Sequence, residues 1–364
     1  MDAVLINQAT DILNGTLPQL VKRKPFMTYA YTNYGLLNDI FNGRVKVGGG
    51  DEVKWFVSLG DENNARHRGN WDEDTHNVLN VQHAVKAPWV RASTNLSYNM
   101  IEQDMNSGPA AIYDVIDSKY DNCLRELSDE MYKGIVGAPT SSTDKYNPQG
   151  LPCWFSIGTN GSTGGWTGYS AHYNDGSTPG DTYDIGGIAS SASSNARWGS
   201  YYADHDGDLD ESLLSILDTA LRKLNFEGPM HPRALDDTGR GAGKFSMYSN
   251  DNVIRNINAL LAKSDDQAGF RINSHYANNP VIKGVEIKYV APLDTANVST
   301  FGTDPIFGVN KDMFFPVMLN RWDFKIGKPR QRDNQAVVMT VDIDVVYAYK
   351  CLSRQFGGFL INAQ

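Results

Sequence analysis

The chain has 364 residues, 41% of them hydrophobic, and a net charge of −9 from 33 basic and 42 acidic side chains. That hydrophobic share excludes global disorder, and the length suits two packed units or one large unit with subdomains. The acidic balance argues against a dedicated nucleic-acid binder, and no run of about 18 apolar residues is present to span a membrane.

The opening stretch "MDAVLINQATDILNGTLPQL" has neither a basic n-region nor a long apolar core, so it predicts no secretory signal, and the chain reads as a soluble intracellular product. Val4, Leu5, Ile12, Leu13, Leu17 and Leu20 give it a short helical pattern, interrupted by Gly15 and Pro18. This predicts an arm with a marginal helix. Lys22, Arg23 and Lys24 follow as a local basic patch, open to two readings: solvated or interface charge, or a nucleic-acid-facing surface. Leu36, Leu37, Ile40 and Phe41 then form an apolar cluster, and Gly48–Gly50 is a flexible break.

A ribbon comes next. Val53, Trp55 and Val57 alternate with Lys54, Phe56 and Ser58 at a period of two, which predicts a half-buried strand. Val78 to Tyr98 is again strand-like, with Pro88 predicting an edge or a bend. Between them Gly60 to His76 is almost wholly polar and carries both signs of charge. Such a tip is far longer than a tight turn needs. An isolated two-stranded ribbon is marginal in water, so something must cover it.

Ser107 to Ala138 predicts the longest helix. Ser107 suits the N-cap and Pro109 the first turn. Ile112, Ile116, Tyr120, Leu124, Leu127, Met131 and Ile135 make its apolar stripe, and Gly134 or Gly137 can end it. Cys123 lies beside the stripe and reads as core. Three cysteines without metal spacing, Cys123, Cys153 and Cys351, predict free thiols in a reducing compartment.

From Pro139 to Asn195, Gly, Ser, Thr, Asn and Tyr dominate, and a long decorated loop is expected. Its aromatics Trp166, Tyr169, Tyr173 and Tyr183 fit loop anchors better than a sugar-stacking platform. A second block follows. "DLDESLLSILDTALRKL" is an acid-capped helix with Leu213, Leu214, Leu217 and Leu221 on one face. "KFSMYSNDNVIRNINALLAKS" is a strand running into a helix capped by Asn250 or Asp251. "VIKGVEIKYVAPL", "DPIFGVN" and "MFFPVML" read as strands, and Val337 to Tyr349 as a long one. Lys325 to Arg332, "KIGKPRQR", is a second basic patch. No internal repeat is present.

Few constellations point to chemistry. Asp204, Asp206 and Asp208 have alternating spacing like a calcium loop. However, glycine stands at the fourth position instead of the sixth, and Ser215 stands at the twelfth where glutamate belongs. The plainer reading is an acidic first turn complementing a helix dipole. His67 and His76 sit in the ribbon tip among acids, but the seven histidines do not cluster. "GRGAGKFS" departs from a phosphate loop in glycine spacing and precedes a strand instead of a helix. No nucleophile elbow or zinc-helix motif occurs, so no catalytic, cofactor-binding or metal site is expected beyond those weak aspartates.

Taken in order, an arm, a charged ribbon, a long helix, an α/β block and a closing long strand resemble the tailed-phage major capsid proteins and their Hong Kong 97-type shell fold. "NQAVVMTVDIDVVYAYKCLSRQFGGFL" is the most specific echo. The resemblance implies an α+β subunit with an N-arm over 1–25 and an extended β-hairpin loop over 45–99. It implies a peripheral domain over 26–44, 100–195 and 321–352, with its spine helix at 107–138, and an axial domain over 196–320 and 353–364. It implies self-assembly through pentamers and hexamers around packaged double-stranded DNA, within a virion assembled in the host cytoplasm. Asp61, Glu62, Arg66, Arg68, Asp72, Glu73 and Asp74 would make inter-subunit contacts, and Lys22, Arg23 and Lys24 would face nucleic acid. The short segment before the fold implies a separate scaffolding protein, with a portal and a cement protein as further partners. No cofactor, enzymatic activity or Lys–Asn cross-link is implied. Two other readings stay open: an encapsulin-like compartment of the same fold, or a carbohydrate-binding protein using the aromatic loop and the aspartates at 204–210.

Overall fold

Valine pairs alternating with polar residues build the longest strand of the protein, β14 (Gln335–Cys351), at 17 residues. Val341, Ile343, Val345, Tyr347, Tyr349 and Cys351 are all buried along one face, the period of two expected of a strand with one side on a core. The computed structural model describes residues 34–60, 67, 69–71, 82–101, 115–141, 144–158, 164–167, 184–188, 197–205, 207, 209–225, 245–268, 280–294, 302–332 and 335–363. The chain forms two compact units, Ala92–Glu130 with Trp322–Val345, and Asn33–Arg91 with Met131–Arg321 and Val346–Gln364.

In the first unit, the leading part of β14 pairs with β4 (Val90–Asn99), β12 (Lys325–Ile326) and β13 (Arg330–Arg332). Lys325 stands opposite Asp344, and Arg330 opposite Thr340. The long helix α2 (Val115–Val136) lies along β4 here: Lys119 Nζ donates to the Ser97 carbonyl at 3.4 Å and Cys123 Sγ to the Asn95 carbonyl at 3.5 Å. Leu127 and Cys123 are buried on this face, the stripe residues Tyr120 and Leu124 are half-buried, and burial pushes the Cys123 thiol up. The expected cap Ser107 and the stripe residue Ile112 lie outside the described residues.

The second unit holds the main core. Among the described residues its sheet has the order β5 (Gly165–Thr167), β6 (Ser200–Asp204), β15 (Gly358–Ala363), β10 (Thr303–Asn310), β7 (Phe245–Ser249), β9 (Val285–Tyr289), β8 (Val281–Ile282). Every residue of β6 and β15 is buried. Helix α4 (Glu211–Leu224) packs on β6, and α5 (Asp251–Ala268) on β9 and β10. Leu213, Leu217 and Leu224 join Val253, Ile257, Ile287, Ile306 and Ile361 in one apolar cluster. The buried face of α4 is Leu213, Leu217, Ala220 and Leu224, while Leu214 and Leu221 are half-buried flanks, a small rotation from the expected stripe. Asp210 caps α4 by accepting from Ser212 N at 2.8 Å, and these bonds hold its carboxyl below the usual range. Asn250 caps α5, accepting from Val253 N at 3.1 Å.

Also in this unit are α1 (Gly35–Phe41), β1 (Val45–Val47), β11 (Phe314–Leu319), the end of β14, and the hairpin β2 (Glu52–Ser58) with β3 (Gln82–Pro88). Helix α2 does not stop at Gly134. A Cβ there would come within 2.8 Å of the Pro148 ring, so this glycine serves a close approach and the helix ends before Gly137. The segment expected to be a decorated surface loop contributes heavily to the core. Helix α3 (Leu151–Trp154) is wholly buried, as are Phe155, Ile157, Ile185 and Ile188. Sparse apolar residues with no period hid this, because their anchoring depends on contacts distant in sequence. Trp166 is an anchor as expected, edge-on to Tyr201 at 5.5 Å and to Phe356 at 5.9 Å.

Candidate assembly interface

Strands β2 and β3 are antiparallel in a single register from Glu52↔Pro88 to Ser58↔Gln82. Their alternation sends Val53, Trp55, Val85 and Ala87 inward, all buried. The half-buried strand expected from the period of two is present. The root of the ribbon does bury one face, and the cover comes from its own chain.

The cover is a tryptophan platform organised by one cation. Arg354, in the short helix α6 (Arg354–Gly357), is fully buried. Its Nε donates to the Trp154 carbonyl at 2.8 Å, Nη1 to the Trp198 carbonyl at 2.8 Å, and Nη2 to Ser156 Oγ at 3.2 Å. Burial lowers its pKa to about 10, which leaves it charged at neutral pH. Trp198 Nε1 in turn donates to the Ile185 carbonyl at 3.2 Å, fixing the 3₁₀ turn Ile185–Gly187. The hairpin sits on these groups. The Trp55 ring lies 5.9 Å from Trp154, and Lys350 Nζ stands 5.5 Å over Trp55 and 5.9 Å over Phe315. Burial lowers the Lys350 pKa. Gly186 has φ +68, and a Cβ there would come within 2.4 Å of Val85 Cγ1, so both the backbone and the contact require glycine. Trp89 Nε1 donates to the Gly50 carbonyl at 2.9 Å and closes the base.

The outward face has no such cover. Glu52, Lys54, Phe56 and Ser58 point out on β2, and Gln82, Ala84 and Lys86 on β3. Phe56 is 77% exposed, and Trp71, near the tip, is 97% exposed. Lys54 stands directly opposite Lys86, and Glu52, at 3.5 Å from Lys54, partly offsets that repulsion. Beyond Pro88 the strand breaks at Trp89, as the proline foretold. The return segment is therefore two strands, and β4 leaves the hairpin to pair with β14.

The charged tip residues Asp61, Glu62, Arg66, Arg68, Asp72, Glu73 and Asp74 lie outside the described residues, as do Lys22, Arg23, Lys24, Asp206 and Asp208. Asp204 ends β6 and is buried, while Asp210 is spent on the helix cap. Among the described residues no group of three His, Cys, Asp or Glu side chains is placed to hold a metal, and no helix is long and apolar enough to cross a membrane. The basic patch at 325–332 is exposed on β12 and β13, where Arg330 reaches Asp342 at 2.7 Å and Lys325 stands 4.1 Å over Trp322. Cys153 and Cys351 are buried free thiols, and burial pushes Cys351 up to about 12. A cleft of about 320 Å³ between α4 and the β8–β9 turn holds Asp218, bridged at 3.1 Å to both Arg222 and Lys283. That arrangement offers no nucleophile and base.

Sequence reasoning singled out tip charges and passed over Phe56 and Trp71. A signal existed for both: Phe56 breaks the polar face of a period-two strand, and Trp71 is a lone large apolar residue in a polar tip.

No protein-family model and no curated protein matches the chain. Among solved structures it is similar to the capsid asymmetric unit of cyanophage A-1(L), at 11% identity and a TM-score of 0.55, over 95% of this chain and 99% of that one. It is similar to the capsid of a native GTA particle, at 9% identity and a TM-score of 0.54, over 93% of both chains. The capsid of Myoviridae phage XM1 aligns at 13% identity and a TM-score of 0.51, over 93% of this chain and 95% of that one. The chain thus has the α+β shell fold of tailed-phage capsids, the Hong Kong 97 type.

Proposed function

We propose that the chain is the major capsid protein of a tailed double-stranded DNA bacteriophage, assembling through pentamers and hexamers into an icosahedral head. The observation that carries this reading is the likeness to capsid subunits over nearly the whole of both chains. A fold alone does not fix a function. The half-covered hairpin adds to it, because an open face bearing exposed aromatics suits a contact between copies.

In this reading residues 1–25 form the N-terminal arm and 45–99 the extended loop, with the peripheral domain over 26–44, 100–195 and 321–352. The axial domain comprises 196–320 and 353–364. The hairpin reaches over a neighbouring copy, and its tip charges make exposed ion pairs. Each pair contributes about 0–1 kcal/mol, and repetition over a closed lattice turns many weak contacts into avidity. Heterologous contacts that close into rings are the geometry such a shell needs. The work of the protein lies in its interfaces. Packaged DNA is bound without sequence preference, and a separate scaffolding protein, a portal and a cement protein act as partners in the host cytoplasm before the virion is complete.

Light scattering with negative-stain microscopy of the purified protein tests this. Closed shells, or pentamers and hexamers that close on concentration, are expected, with DNA as the native content. A single co-purifying enzyme inside the shells would assign an encapsulin-like compartment. A 40 kDa monomer at every concentration and salt, with or without scaffolding protein, would overturn the reading.

A further inference from the structure

The cleft between α4 and the β8–β9 turn has no catalytic pair, yet it has the parts of a binding site. At about 320 Å³ it is at the small end of ligand pockets. Leu221, Phe245 and Val285 line it, each half-buried with one flank on the core. At the rim, Arg222 Nη2 and Lys283 Nζ each lie 3.1 Å from Asp218, one on either carboxylate oxygen. Two cations on one carboxylate leave one positive charge over. Lys223 adds nothing to this rim, because its Nζ stands 5.6 Å over the Tyr201 ring. Arg222 has a local role as well, since a cation in the last turn complements the end of α4. No helix end accounts for Lys283. It is the first of the two residues joining β8 to β9, at φ +52, with Gly284 at φ +81. Such a turn favours asparagine, aspartate or glycine, so a lysine there strains the backbone. What that strain achieves is an amine at the mouth of the cleft.

We propose that this cleft binds a carboxylate carried on a short apolar stem. The stem lies against Leu221, Phe245 and Val285, where its burial supplies the attraction. The carboxylate sits between Arg222 and Lys283 and takes up the charge that Asp218 leaves over. Asp218 shows that the two cations are set at the spacing of carboxylate oxygens, and it competes with the ligand for them. A second negative charge on the ligand would meet Asp218 with nothing to offset it, so the site selects a single anion. A free monocarboxylic acid and the last residue of a peptide chain both carry this chemistry. The proposal is independent of the shell reading, because the whole cleft lies within one unit of the subunit.

Titration of the full chain with hexanoate and with uncharged hexanamide tests this, read by saturation-transfer NMR and checked by thermal melting of each variant. Hexanoate is expected to bind in about the millimolar range, and hexanamide about tenfold more weakly or worse. K283G suits the turn's backbone and R222Q keeps a good helix former, so both should melt like wild type. Each should weaken hexanoate about threefold, and the pair together about tenfold, whereas D218N, which removes the competing carboxylate, should tighten it about threefold. N-acetyl-glycyl-leucine, compared with its C-terminal amide, separates the two sources. Binding about tenfold tighter than hexanoate, lost in the amide, assigns a chain end; otherwise the ligand is a free acid. The site is overturned if wild type binds no hexanoate at about 20 mM, or if hexanamide binds equally well. It is also overturned if hexanoate binds R222Q/K283G as it binds wild type while the melt is intact.

Discussion

The seven-stranded sheet and the β2–β3 hairpin are built by the same alternation and end in opposite states. In β6 and β15 every residue is buried, because helices and neighbouring strands close both faces. In the hairpin only Val53, Trp55, Val85 and Ala87 are closed off, and Phe56 and Trp71 stand in solvent. The sheet is finished within one chain. The hairpin is finished on one side only, and its other side carries an exposed aromatic ring and a repelling lysine pair. Stability and assembly should therefore respond to different residues.

The largest effect should come from the cation under the hairpin. Arg354→Met leaves the Trp154 and Trp198 carbonyls without their donors and should cost about 3–5 kcal/mol in urea unfolding, disturbing the hairpin root as well as the core. An unchanged unfolding midpoint would show that the platform does not depend on it. Next is Trp71→Ala, expected to leave the melt unchanged while weakening each inter-subunit contact by about 2 kcal/mol, read as a higher concentration for shell formation. A smaller effect is expected at Asp39, which accepts from Lys288 and from Tyr248 at 3.1 Å and lies 3.6 Å from Lys311. Burial opposes its ionisation, yet Lys288, Lys311 and Tyr248 outweigh that and hold its pKa low. Because the folded value is depressed, the stability it contributes is fully present above the ordinary carboxylate pKa near 4. It is lost as pH falls through the lowered value. Asp39→Asn should cost about 1–2 kcal/mol at pH 7 and flatten the acid limb of the stability profile. A stability–pH curve parallel to wild type would refute this. The smallest effect on the subunit is Phe56→Ser, expected within about 0.5 kcal/mol in unfolding yet measurable in assembly.

Much of the fold was legible because its elements announce themselves locally. The valine alternation of β14, the leucine period of α4 with its Asp210 cap, and the Pro88 break all rest on residues near in sequence. The order of these elements was enough to suggest the shell fold. The platform was not legible. Trp154, Trp198 and Arg354 lie far apart in the chain, with no period joining them, and a buried arginine reads in sequence like any surface arginine. The open face of the hairpin was less legible, because the facing of Lys54 on Lys86 depends on strand register, which the sequence leaves open when the tip is long.

The central claim is that the hairpin belongs to assembly and the sheet to the subunit. Deleting Gly60–His76 and closing the strands with a short Gly–Ser turn tests it most directly, with mass measurement and thermal melting on the same sample. The account predicts a melt like wild type and no closed shells. Shells of normal mass and yield from the deleted chain would contradict it.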